Sequence, residues 1–109
     1  MTLSLAAIQM AMSENTPDNV AKAEHYVRMA AAGGSRIILI PELFESEYFC
    51  KDLDAVHLKR ALPLDDNPTI THFQELAKEL NVVLPLSVFE RAGNSLFNTV
   101  VMVDANGSR

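Results

Sequence analysis

One cysteine, no tryptophan, and nine basic residues against fourteen acidic ones set the first limits on this chain of 109 residues. A single cysteine leaves no internal disulfide to form, which excludes the framework of small secreted domains. The formal charge of −5 and the pI near 5.0 argue against nucleic acid as a partner, and no cluster of Lys and Arg offsets them. No apolar run approaches the roughly 20 residues of a membrane-spanning helix. The N-terminus also lacks the basic flank and apolar core of a secretory signal. A soluble, cytoplasmic protein with no membrane partner is therefore expected. No CxxC, HExxH or glycine-rich phosphate loop occurs, and His25, His57 and His72 show no metal-ligand spacing, so no cofactor or metal is expected.

What the chain does have is a hydrophobic fraction of 49%, enough for a packed core in one domain. Leu3–Met10 is apolar and short, and reads as a first strand. Thr16-Pro17-Asp18 offers an N-cap hydroxyl, a proline at the first helical position and an acid in the first turn. Val20, Ala23, Val27, Ala30 and Ala31 follow at helical spacing, and Gly33-Gly34 stops the helix. Ile37–Ile40 is β-branched and unalternated, the pattern of a strand buried in a parallel sheet. Strand, helix, strand is one right-handed crossover. Asn67-Pro68 opens a second helix with Ile70, Phe73, Leu76, Ala77 and Leu80 on its apolar face. Val82–Phe89 is a third strand, with Pro85 pointing to an edge or a bulge, and Leu96–Asp104 a fourth. The fold class is α/β, without internal repeat or linker.

The residues best placed for chemistry follow Ile40. Pro41 ends the strand ladder, and Glu42 then stands at the carboxyl end of a core strand, where open α/β sheets gather their ligands. A carboxylate partly desolvated there has its pKa raised and becomes a general base. The alternative is a loop Glu making a cap or a surface ion pair. Tyr48 and Phe49 either line the mouth of a pocket or pack the loop onto the sheet. Glu45 and Glu47 either draw in a cationic amine through their field or form a solvated rim. Glu90 is either a supporting carboxylate or a turn residue. His25 and His72 fall on polar helix faces. Cys50 is read as a small buried hydrophobe, because no His or Lys is placed beside it, and Lys51 would point away in an extended segment.

Together these segments carry a resemblance. Leu5-Ala-Ala-Ile-Gln-Met10, the Ala-rich helix ending in Gly33-Gly34 and the strand running into Pro41-Glu42-Leu43-Phe44 resemble the opening of the nitrilase (carbon–nitrogen hydrolase) superfamily. Phe44-Glu-Ser-Glu-Tyr-Phe-Cys50, Ser87-Val-Phe-Glu90 and Asn98-Thr-Val-Val-Met-Val-Asp-Ala-Asn-Gly107 are similar to its N-carbamoylputrescine amidase branch. The resemblance covers essentially the whole chain. It implies an α-β-β-α sandwich, of which residues 1–109 would form the N-terminal portion of a single domain. It also implies a Glu–Lys–Cys triad acting on a small carbamoyl or amide substrate, and a homo-oligomer at full length. Glu42 matches the triad Glu; the family's Lys follows the Asn-Gly turn and its Cys comes later, so neither falls within these residues. Cys50 matches a pocket or packing position, not the nucleophile.

Asn106-Gly107 after an apolar run predicts a hairpin through a type I′ turn, with positive φ at both central residues. A hairpin needs a returning strand, and the chain is accordingly read as part of a longer protein. Three functions stay open: hydrolysis of a carbamoylated amine, the same chemistry on another amide of ω-amidase or β-ureidopropionase type, or a non-catalytic piece that folds with a partner.

Overall fold

Leu5 lies opposite Ile37 and Ala7 opposite Leu39 in a parallel pair, β1 (Leu5–Ala7) and β2 (Ile37–Leu39), joined by the helix α1 (Thr16–Ala32). The structure is a computed structural model that describes residues 2–47 and 55–109, with the backbone alone for 55–57. A second helix, α2 (Pro68–Leu80), leads to β3 (Leu84–Ala92), and a hairpin around Gly93 returns the chain as β4 (Ser95–Val103). Short 3-10 turns at Ala55–Arg60 and Leu64–Asp66 fill the connection between β2 and α2.

The cap of α1 is Asn15, not Thr16. The Asn15 side chain accepts the Asp18 N–H at 2.9 Å, whereas the Thr16 hydroxyl donates across the molecule to the Glu45 carbonyl at 2.8 Å. Thr16 is thus the first helical residue, with Pro17 behind it where a missing N–H costs nothing. At the other end Gly34 takes the left-handed conformation (φ 98°) that ends the helix. Asn67 caps α2 as expected, accepting the Thr69 N–H at 2.9 Å, and Asn81 closes that helix at φ 55°.

β3 lies beside β2 in parallel: the Ile38 N–H donates to the Val83 carbonyl (3.0 Å), and the Val83 N–H donates to the Arg36 carbonyl (2.7 Å). Pro85 aims the same edge at β2 but has no N–H to donate, so that ladder ends after one bridge. Further along the edge Leu62 takes over, donating to the Phe89 carbonyl and accepting from the Arg91 N–H. Pro85 sits within β3 in regular register with Met102, so it marks no bulge; it stands on the edge of β3 that pairs with no further β2 residue.

Side chains of one sheet face meet the helices. Ile38, Ile40, Leu84, Leu86, Val88, Val101 and Val103 form one core with Ala23, Val27, Ile70, Phe73, Leu76 and Ala77. Each Ile, Leu or Val side chain among them contributes about 1.5–3 kcal/mol through burial. The other face is open: Leu5 is 66% exposed, Leu39 51%, Val100 60% and Met102 56%. β2 thus alternates, with Ile38 and Ile40 inward and Leu39 outward. The continuous apolar run does not mean burial on both faces within these residues.

Asn106-Gly107 does turn the chain, though not by a type I′ turn. Only Gly107 has positive φ (87°). The Gly107 N–H donates to the Asp104 carbonyl, and the Asp104 N–H donates to the Ser108 carbonyl. This is a three-residue hairpin loop with glycine at the left-handed position. The loop rests on α2, where Gln74 Nε2 donates to the Gly107 carbonyl at 3.0 Å.

Candidate active site

β2 runs out at Leu39, and three of the next five residues bury their side chains. Ile40, Leu43 and Phe44 are almost wholly enclosed, and the Phe44 ring meets Phe73 edge-on at 5.5 Å, which fastens the loop to α2. Glu42, between two anchored positions, projects to the open face of the sheet and is exposed. The partial desolvation expected for its carboxylate is not provided by these residues, because nothing among those described covers that face.

Leu43 is held at φ 49°, a left-handed conformation that a non-glycine residue adopts at a cost of about 1–3 kcal/mol. Its N–H donates to the Ser87 hydroxyl oxygen at 3.0 Å. Ser87 Oγ lies 3.1 Å from Asn98 Oδ1, and Asn98 Nδ2 donates to Glu42 Oε1 at 2.5 Å. Ser87 on β3 and Asn98 on β4 stand diagonally across the antiparallel ladder, on the face opposite the helices. Together with Ile8, Leu39 and Val100 these groups line an open concavity of about 380 Å³ with Glu42 at its polar side. An exposed carboxylate at the edge of this concavity, with one oxygen engaged by Asn98, suits proton abstraction from a group seated there.

The remaining candidates separate clearly. Glu45 is half-buried and structural: its carboxylate accepts from Thr69 Oγ1 at 2.7 Å and from Asn67 Nδ2 at 3.4 Å, at the N-terminus of α2. Its backbone carbonyl accepts from Thr16 Oγ1 and Asn19 Nδ2, so the loop is tied to both helices. Glu47 is exposed and fits the solvated rim. Glu90 lies within β3, not at a turn, and accepts from Thr99 Oγ1 at 2.7 Å. It faces the side away from Ser87 and plays no part at Glu42. His25 is exposed, and so is His72, whose Nε2 is 2.6 Å from Glu24 on the outer surface. Tyr48, Phe49, Cys50 and Lys51 lie outside the described residues. A smaller concavity of about 180 Å³ touches Leu43, Leu62 and Phe89, but its one carboxylate is Glu45, already bonded. No group of His, Cys, Asp and Glu among the described residues is arranged to hold a metal, and no helix is long and apolar enough to cross a membrane.

Sequence reasoning missed Ser87 and Asn98 as members of the site. The available signal was a polar residue inside each of two apolar strands, which a fold does not leave without a bonding partner.

The chain matches the carbon-nitrogen hydrolase family over residues 4–109. It is 45% identical over 106 residues to the N-carbamoylputrescine amidase of Oryza sativa subsp. japonica, covering 97% of this chain and 35% of that protein. A citrullinase from Francisella tularensis subsp. tularensis is 39% identical over 106 residues, covering 97% of this chain and 37% of the citrullinase. Among solved structures, a carbon-nitrogen hydrolase from Helicobacter pylori superposes with a TM-score of 0.87 at 21% identity, over 97% of this chain and 37% of that one. Saccharomyces cerevisiae Nit3, of the nitrilase superfamily, superposes at 0.80 and 16% identity, over 96% of this chain and 41% of that one. The chain therefore spans about a third of the length of these relatives and has the fold of their N-terminal region. With a match over nearly its whole length, it belongs to the carbon-nitrogen hydrolase family.

Proposed function

We propose that the protein carrying this chain hydrolyses N-carbamoylputrescine to putrescine, ammonia and carbon dioxide, with Glu42 as general base. What carries the reading is the likeness, along nearly the whole chain, to N-carbamoylputrescine amidases. In the mechanism the family resemblance implies, a Cys thiol passes its proton to Glu42 and attacks the carbamoyl carbon. A Lys stabilises the tetrahedral oxyanion, the amine leaves with the proton, and water releases the acyl group from the sulfur. That Lys and Cys lie outside these 109 residues. The open apolar face beside Glu42 supports the reading, since a second sheet laid on it would exclude water from the base. We further infer a cytoplasmic homo-oligomer.

A second reading is favoured by the citrullinase likeness. Citrulline also carries a ureido group, so the same base would serve, and the choice falls to whatever binds the far end of the substrate. The test is ammonia release by the full-length protein from N-carbamoylputrescine, citrulline, N-carbamoyl-β-alanine and an ω-amide. The highest kcat/KM is expected on N-carbamoylputrescine. Glu42→Gln should lower kcat by about 10²–10⁴ with the fold retained. A variant within a few-fold of wild type would remove Glu42 from the role of base.

A further inference from the structure

Asn106 alone among the seven asparagines precedes a glycine. Asn94 precedes Ser95, and the other five precede Thr, Val or Pro, where a branched side chain crowds the following nitrogen or a ring removes its proton. The side-chain amide of Asn106 is also held in a defined direction. The Ser108 N–H, which can only donate, meets that amide at 2.9 Å, so the atom it meets is Oδ1. An amide oxygen can only accept, and the Ser108 hydroxyl at 2.6 Å therefore donates to it as well. Two donors from one residue thus converge on the carbonyl oxygen of an exposed amide. The next nitrogen along the chain is restrained. The Gly107 N–H donates to the Asp104 carbonyl at 2.9 Å, and Gln74 Nε2 holds the Gly107 carbonyl at 3.0 Å.

We propose that Asn106 is a modification site, converted through a succinimide to isoaspartate and aspartate, with Ser108 assisting the step and the docking of the loop on α2 restraining it. The Gly107 nitrogen gives its proton to hydroxide and bonds to Asn106 Cγ, while the carbonyl electron pair moves onto Oδ1. Donors already aimed at an oxygen that gains charge lower the barrier. Collapse of this intermediate breaks the Cγ–Nδ2 bond, and Nδ2 leaves as ammonia with a proton from water. Water then opens the ring at either carbonyl, so that overall an amide is exchanged for a carboxylate. Opening at the backbone carbonyl routes the main chain through the side chain and lengthens it by one carbon. The hairpin loop closes on bonds from Asp104 to both Gly107 and Ser108, which such a lengthening would break. None of this depends on the role of Glu42.

The test follows one peptide, residues 92–109, cut by trypsin at mildly acidic pH from full-length protein that has been kept folded at pH 8. Mass spectrometry with electron-transfer fragmentation reads amide loss at Asn94, Asn98 and Asn106 and separates isoaspartate from aspartate. Asn106 should convert first, with Asn94 as the internal reference. Ser108→Ala should slow its conversion about fivefold, the effect of one hydrogen bond lost, and Ser108→Thr, which keeps the hydroxyl, should hold the wild-type rate. Gln74→Ala, which frees the Gly107 carbonyl, should raise the rate by about the same factor. In urea Ser108→Ala and wild type should convert alike, because the loop that aims the donors is gone. Four results would each overturn the proposal: Asn94 converting as fast as Asn106, a folded Ser108→Ala variant as fast as wild type, the same slowing in urea, or no acceleration in Gln74→Ala.

Discussion

Glu45 and Glu47 are two residues apart, yet the structure gives them opposite energetic weight. Glu45 accepts a 2.7 Å hydrogen bond from the Thr69 hydroxyl and a longer one from Asn67, where the first turn of α2 presents its positive end. A bond to a charged acceptor contributes about 1.5–3 kcal/mol when well enclosed, and half-burial brings this to about 1–2. The helix end adds about 0.3–1 kcal/mol. Glu45→Ala in the full-length protein should therefore cost about 2 kcal/mol, and Thr69→Val about 1. The double variant should cost less than their sum by about 1 kcal/mol, because each single change already breaks the shared bond. Urea unfolding at unchanged m value reads all three, with Glu47→Ala as a control expected within about 0.5 kcal/mol of wild type. Additivity within about 0.3 kcal/mol, or a Glu47 variant as damaging as that of Glu45, would refute the reasoning.

Gly107→Ala should destabilise by about 1–2 kcal/mol, because φ 87° strains an L residue and a new Cβ would stand 3.1 Å from the Gln74 carbonyl oxygen; an unchanged melting temperature would show that the turn does not dock on α2 as described. The Glu24 carboxyl is held below its ordinary value of 4.5, first by its hydrogen bond from Arg28 and then by His72, against an opposing effect of burial. A carboxyl depressed in the folded state adds stability that is present above that ordinary value and fades as pH falls through the folded one. Arg28→Gln should therefore narrow the drop in melting temperature between pH 6 and pH 3.5 at low salt, and an equal drop in variant and wild type would refute the linkage.

Much of this architecture is legible in the sequence. Helix ends were readable because Asn67-Pro68 and Gly33-Gly34 act through local backbone chemistry, confined to one turn. The strands were readable because Ile37–Ile40 and Leu96–Asp104 are short runs rich in apolar and β-branched residues. The α1 cap was misassigned to Thr16 because Asn15 and Thr16 are both competent caps, and the choice fell to Glu45, whose carbonyl claims the Thr16 hydroxyl from 29 residues away.

The candidate site divides in the same way. That a carboxylate stands at the end of a strand is local information, carried by Ile40-Pro41-Glu42 alone. The placement of Ser87 and Asn98 beside Glu42 depends on the register of β3 against β4 and of β3 against the Leu43 loop, which no short stretch of sequence specifies. Glu45 and Glu47 look alike in sequence, and only the packing of their loop against α1 and α2 makes one a tie and leaves the other in water. By itself the sequence determined the helices and strands and the carboxylate at the strand terminus, because propensity, capping and strand termination act over a few residues. Tertiary structure alone decided which polar groups surround that carboxylate, because hydrogen bonds between distant strands exist only once the register is set.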